Sequence, residues 1–97
     1  LQHAPARAHR CDFPGMAMPD PAQEIALIEA FADTRVIGVT INHEDMTEAD
    51  LDATIMRCRR DLALPVSDAL ARPAADLVAM VLAACPGLRE NRVLAVQ

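Results

Sequence analysis

DPAQEIALIEAFADTRVIGVTINHE, residues 20–44, changes period part-way along, and that change sets the architecture. Asp20 is an N-cap acid, Pro21 suits the first helical position, and Gln23 stands at the third. Ile25, Ile28 and Ala32 then share one face with Leu27 and Phe31 beside it, which predicts a helix over 21–32. Asp33-Thr34 breaks the pattern. Arg35 to Ile41, RVIGVTI, is a β-branched run with one glycine and predicts a strand buried on both faces, as in a parallel sheet covered by helices. Gly38 in its middle predicts a close approach by another element.

Downstream, Thr47-Glu48-Ala49-Asp50 is a capping pattern, and Leu51, Ile55, Cys58 and Leu62 fall on one stripe, giving a helix over 48–62. Leu64-Pro65-Val66 reads as a short extended piece that its proline bars from a sheet interior. A third helix over 74–85 has Leu77, Val78, Val81, Leu82 and Cys85 inward, and Pro86-Gly87 stops it. Upstream, LQHAPARAHRCDFPGMAMPD (residues 1–20) has neither period and reads as a long functional loop after a strand ending near Leu1. Helices alternating with buried strands mean α/β with a parallel sheet. One firm strand and two short pieces do not complete such a sheet. The missing strands must then lie upstream or on another chain, so the expectation is a fragment of a larger α/β domain over 1–86, with a tail over 87–97.

Composition narrows the function. The chain has 97 residues, 53% of them hydrophobic and 2% aromatic, with a formal net charge of −5. All nine basic residues are arginine. Without lysine there is no GxxxxGK(S/T) phosphate loop among these residues and no Schiff-base lysine. An acidic chain with so few aromatic rings lacks the basic face and stacking platform of a nucleic-acid binder, and no apolar run is long enough for a membrane span. Cys11, Cys58 and Cys85 are odd in number and widely spaced, as expected of reduced thiols in a cytoplasmic protein.

In open α/β sheets ligands lie beyond the carboxyl ends of strands, which directs attention to His3–Asp20 and Asn42–Asp45. His3 titrates near neutrality and suits a general base, although a histidine that only braces a loop is commoner. Arg7 and Arg10 suit a carboxylate or phosphate, unless they are paired with Asp12 or Asp20. In an extended stretch His3, Pro5 and Arg7 project to one side. Asn42 offers a donor and an acceptor to a nucleobase edge but is also a frequent turn residue. His43-Glu44-Asp45, Glu48, Asp50 and Asp52 read as loop and first-turn charges. His3 with His9 and Cys11 matches no zinc spacing, so no metal site is expected.

Taken together, H-x-P-x-R at His3–Arg7, VIGVTINHE at Val36–Glu44 and LPVSDALARP at Leu64–Pro73 resemble the C-terminal part of a bacterial P-loop family. That family was long described as a domain of unknown function and includes the D-glutamate N-acetyltransferases of the DgcN type. The resemblance covers about residues 1–85. It implies a P-loop NTPase-like domain similar to dethiobiotin synthetase, with the Walker A part outside these residues. It also implies that Asn42 reads a nucleobase, with Pro65, Val66 and Asp68 nearby. On this reading the full-length protein is a homo-oligomer that transfers an acetyl group from acetyl-CoA to a small anionic amino acid, with His3 and Arg7 at the reacting centre and Arg10 on the substrate. A nucleotide-dependent ligase or NTPase using ATP and Mg, and a binding module without chemistry, are the alternatives. These residues alone are expected to be inactive.

Overall fold

The computed structural model describes residues 1–10 and 13–88. The elements run β1 (Gln2–His3), β2 (His9–Arg10), β3 (Phe13–Ala17), α1 (Pro21–Ala32), β4 (Val39–Ile41), α2 (Glu48–Leu62), β5 (Val66–Ser67) and α3 (Ala74–Ala84). β1, β4 and β5 form a parallel sheet in that order, with Thr40 opposite Gln2 on one side and Ser67 on the other. β2 and β3 pair antiparallel in a ladder of their own. The stretch expected as a long functional loop thus contains a pair of short antiparallel strands, one of them carrying Pro14 and Gly15, which leaves no readable alternation.

Two helices are written in their caps. The Asp20 carboxylate accepts the Ala22 N–H at 2.8 Å, and α1 begins at Pro21. Thr47 and Asp50 form a reciprocal capping box that starts α2 at Glu48. The core joins Val39, Ile41 and Val66 of the sheet to Leu51, Ile55 and Cys58 of α2, with Leu1, Ile25, Met46 and Leu62 packed around them. α1 contributes less than its stripe suggests: none of its residues is fully buried, and Leu27 and Phe31 face outward.

Side chains alternate along a strand, so Gly38 and Thr40 face away from that core. α3 covers this second face. Met80, nearly buried, fills the space at Gly38: a β-carbon there would lie 2.6 Å from Met80 Cγ. The close approach expected at Gly38 is made by this side chain. The inward face of α3 is otherwise rotated from expectation, with Val78, Val81 and Cys85 exposed and Leu77 half-buried. An alanine-rich helix that is apolar on most sides gives periodicity little to fix its phase.

The expected strand over 35–41 is shorter by four residues. Val36 gives its N–H to Glu29 Oε2 at 3.0 Å, and the Arg35 guanidinium donates to the Ala84 carbonyl, so the start of the run is held by other partners. Thr40 is only half-buried, so burial is complete on the α2 face alone. Pro65 does join the ladder at the edge, its carbonyl accepting the Val39 N–H at 2.9 Å. Of the expected tail, residues 89–97 lie outside the described residues, as does Cys11.

Candidate functional site

Because β1, β4 and β5 are parallel, their carboxyl ends share one edge. There His3 closes β1, Asn42 follows β4 and Asp68 follows β5. The Asn42 N–H donates to the His3 carbonyl at 2.7 Å, locking the first two ends together. β5 is held by Arg59, which gives two hydrogen bonds to the Val66 carbonyl, at 2.8 and 3.1 Å, and by Ser67, whose hydroxyl reaches Asp76 at 3.2 Å.

Asp68 is 1% exposed and both its oxygens are engaged. Oδ1 accepts the N–H groups of Leu70 and Ala71, each at 2.8 Å, and Oδ2 lies 2.5 Å from His43 Nδ1. Burial alone raises a carboxyl's pKa. Here the Ala71 and Leu70 N–H groups and His43 outweigh it and hold Asp68 below the usual carboxylate range. An ionised carboxylate offers only lone pairs, so His43 Nδ1–H is the donor, and in the neutral ring the lone pair is on Nε2. The His43 side chain is 40% exposed. An imidazole so fixed can accept and return protons while its partner sets the tautomer.

Asn42 and Asp68 therefore stand at one edge. Asn42 Oδ1 accepts the Glu44 N–H at 3.2 Å, so the residue shapes its turn. Asp68 is too buried and too fully bonded to touch a ligand directly. It acts on His43, which from sequence alone reads as a loop charge. Pro65 stands at the other end of β5, against the start of β4, and Val66 is buried in the core. Neither lies at the carboxyl edge, because the extended piece runs the length of the sheet.

His3 and Arg7 do not project to one side. Arg7 N–H bonds back to the Ala4 carbonyl at 3.1 Å, making a turn with Pro5 at its second position. Arg7 Nε then reaches Glu44 Oε1 at 2.7 Å, and this bond lowers the Glu44 pKa. Glu44 already balances the charge that a substrate carboxylate would need. His3 instead lines a cavity of about 240 Å³ with Pro5, Asp20, Thr54, Arg57 and Cys58, between the start of α1 and α2. Its Nδ1 is buried without a hydrogen-bond partner. Burial lowers the His3 pKa, opposed in part by Glu24 and Asp20. Arg10 is exposed on β2. The helix acids are engaged more specifically than dipole complementarity requires: Arg72 bridges Glu48 and Asp52, while Asp50 completes the cap.

The sequence matches the DUF1611_C P-loop domain, a domain of unknown function, over residues 1–78. The chain belongs to this family. The matched span takes in the whole carboxyl edge, from His3 through Asp68, and its three-stranded parallel sheet with helices on both faces is the P-loop-like α/β fold expected of it. No curated protein and no solved structure matches the chain. The lysine of a Walker loop is not among its residues, since the chain has none. Among the described residues no group of three or more His, Cys, Asp or Glu side chains is placed to hold a metal, and no helix is long and apolar enough to cross a membrane.

Proposed function

We propose that this domain supplies the nucleobase-reading edge of an enzyme that transfers the acetyl group of acetyl-CoA to the amine of D-glutamate. The observation that carries the proposal is Asn42, set just past the buried strand β4 at the carboxyl edge of a parallel sheet in a P-loop family. Ligands of open α/β folds bind at that edge. The carboxamide spends one Oδ1 lone pair on Glu44 N–H, and an amide oxygen has two. A second acceptor site and the amide hydrogens suit the amino group and ring nitrogen of an adenine, which acetyl-CoA and ATP share.

The P-loop character of the family favours one other reading, a ligase or NTPase that uses ATP in the same groove, since a fold does not fix its chemistry. Thermal shift of the full-length protein with acetyl-CoA, ATP and D-glutamate separates them. Stabilisation by acetyl-CoA, together with N-acetylglutamate detected by mass spectrometry, supports the transferase; stabilisation by ATP alone supports the ligase. Asn42→Ala leaves a base edge unpaired, a loss of about 1–3 kcal/mol, or roughly 5- to 150-fold in ligand affinity. Unchanged affinity for both nucleotides removes Asn42 from the site.

A further inference from the structure

We infer that His43, aligned by Asp68, is the proton acceptor for the amine nucleophile in this transfer. The inference rests on the acyl-transfer reading above and adds the group that performs its proton chemistry. His43 follows Asn42 directly, at the same carboxyl edge of the sheet. Nδ1 is held at 2.5 Å by a carboxylate that two backbone N–H groups fix in turn. Asp68 is itself anchored through β5, whose carbonyl at Val66 is clamped by Arg59. The ring makes no second hydrogen bond among the described residues and is 40% exposed. His3 lacks these properties: its Nδ1 is buried and unpaired, and it faces the cavity beside α2. The charged groups around His43 are Asp68 just past β5, Glu44 and Asp45 of its own turn, and Arg7, paired with Glu44.

The proton balance needs one base used twice. An ammonium has no lone pair, so Nε2 first takes one proton from it and releases that proton to water through the exposed ring. The neutral amine then attacks the thioester carbonyl carbon and forms the C–N bond. Nε2 takes a second proton from the nitrogen. As the C–S bond breaks, the electron pair leaves on sulfur, and the imidazolium returns its proton to the thiolate. The products are the amide, the thiol and one proton. His43 is the catalytic group and Asp68 a positioning residue that selects the Nδ1–H tautomer.

The test uses the full-length protein with acetyl-CoA and D-glutamate, comparing wild type, His43→Gln, His43→Ala and Asp68→Asn. Asparagine keeps an Oδ1 acceptor for Leu70 and Ala71 N–H, so the turn survives, but it presents an N–H to the ring and moves the ring proton to Nε2. We expect kcat to fall by about 10²–10⁴ in His43→Gln, as for loss of a general base. In that variant the amine must lose its proton unaided, so the acidic limb of the kcat/KM–pH profile should move up to the pKa of the substrate ammonium, and added imidazole should partly restore His43→Ala. In Asp68→Asn, kcat should fall while the KM for D-glutamate holds, and nitrogen NMR should show the tautomer change. If the wild type transfers acetyl groups and His43→Gln stays within about threefold, the base assignment is overturned while the transferase reading stands. If the wild type transfers none, the transferase reading fails first and the assignment with it.

Discussion

Gly38→Ala introduces one methyl group at the point where α3 meets the sheet. An added β-carbon would lie 2.6 Å from Met80 Cγ and 2.8 Å from Cε, with Sδ nearer still. Comfortable carbon–carbon separations are about 3.5–4.0 Å, so the thioether sulfur must move by about 1.5–2 Å. Overpacking of this kind costs about 1–3 kcal/mol. Gly38 does not have positive φ, so alanine adds no backbone strain. It also returns about 0.4–1 kcal/mol by restricting the unfolded chain. The net destabilisation is then between zero and about 2.6 kcal/mol, the upper end applying if the flexible Met80 cannot find another rotamer.

Met80→Ala alone costs about 2–5 kcal/mol, because the side chain is nearly buried and leaves a void. Once Met80 is gone, the methyl group added by Gly38→Ala enters empty space. The double variant should therefore be less destabilised than the sum of the singles, by about 1–3 kcal/mol, which is the overpacking cost no longer incurred. Urea unfolding of the four proteins, followed by circular dichroism, measures this coupling. Additivity within about 0.5 kcal/mol would show that Met80 does not occupy the Gly38 space.

Thr47→Ala removes the side chain that caps α2 and should cost about 0.5–2 kcal/mol in the same assay, with Thr47→Ser close to wild type. The lowered pKa values of His3 and Asp68 give a pH dependence of one sign: each group binds its proton more readily unfolded, so its contribution is present above the unfolded pKa and is lost as pH falls through the folded one. For His3 the loss begins near its reference value of 6.5 and should disappear from the stability profile of His3→Gln. For Asp68 it begins near 3.8, so the stability advantage of wild type over Asp68→Asn should shrink as pH is lowered below that point.

What could be read from sequence alone follows the range of the interactions. The starts of α1 and α2 were legible because Asp20 bonds to Ala22, and Thr47 to Asp50, within one helical turn. The strand over 35–41 was legible only in its second half. β-branched residues state a preference for extended backbone, but the ladder needs partners, and β1 and β5 are two residues each. The turn at Ala4–Arg7 carried its own signal in Pro5, which suits the second position of a turn as well as it stiffens an extended segment. The choice between the two decided whether His3 and Arg7 could share a site.

The His43–Asp68 pair spans 25 residues and has no local pattern. One route to it did exist. NHE follows the last residue of one strand and SD ends a second, and the parallel register sets Thr40 opposite Ser67. Continuing that register brings Ile41 level with Asp68, so the turn that starts at Asn42 runs alongside the carboxylate. Such a deduction needs β5 to lie beside β4, and the proline in LPVSD argues against a place in the sheet interior. Pro65 escapes that objection because β5 is an edge strand and Pro65 joins through its carbonyl, which needs no N–H. The site is thus assembled by the same pairing that buries Val39 and Val66, and a substitution that shifts β5 along β4 would separate His43 from Asp68 without touching either residue.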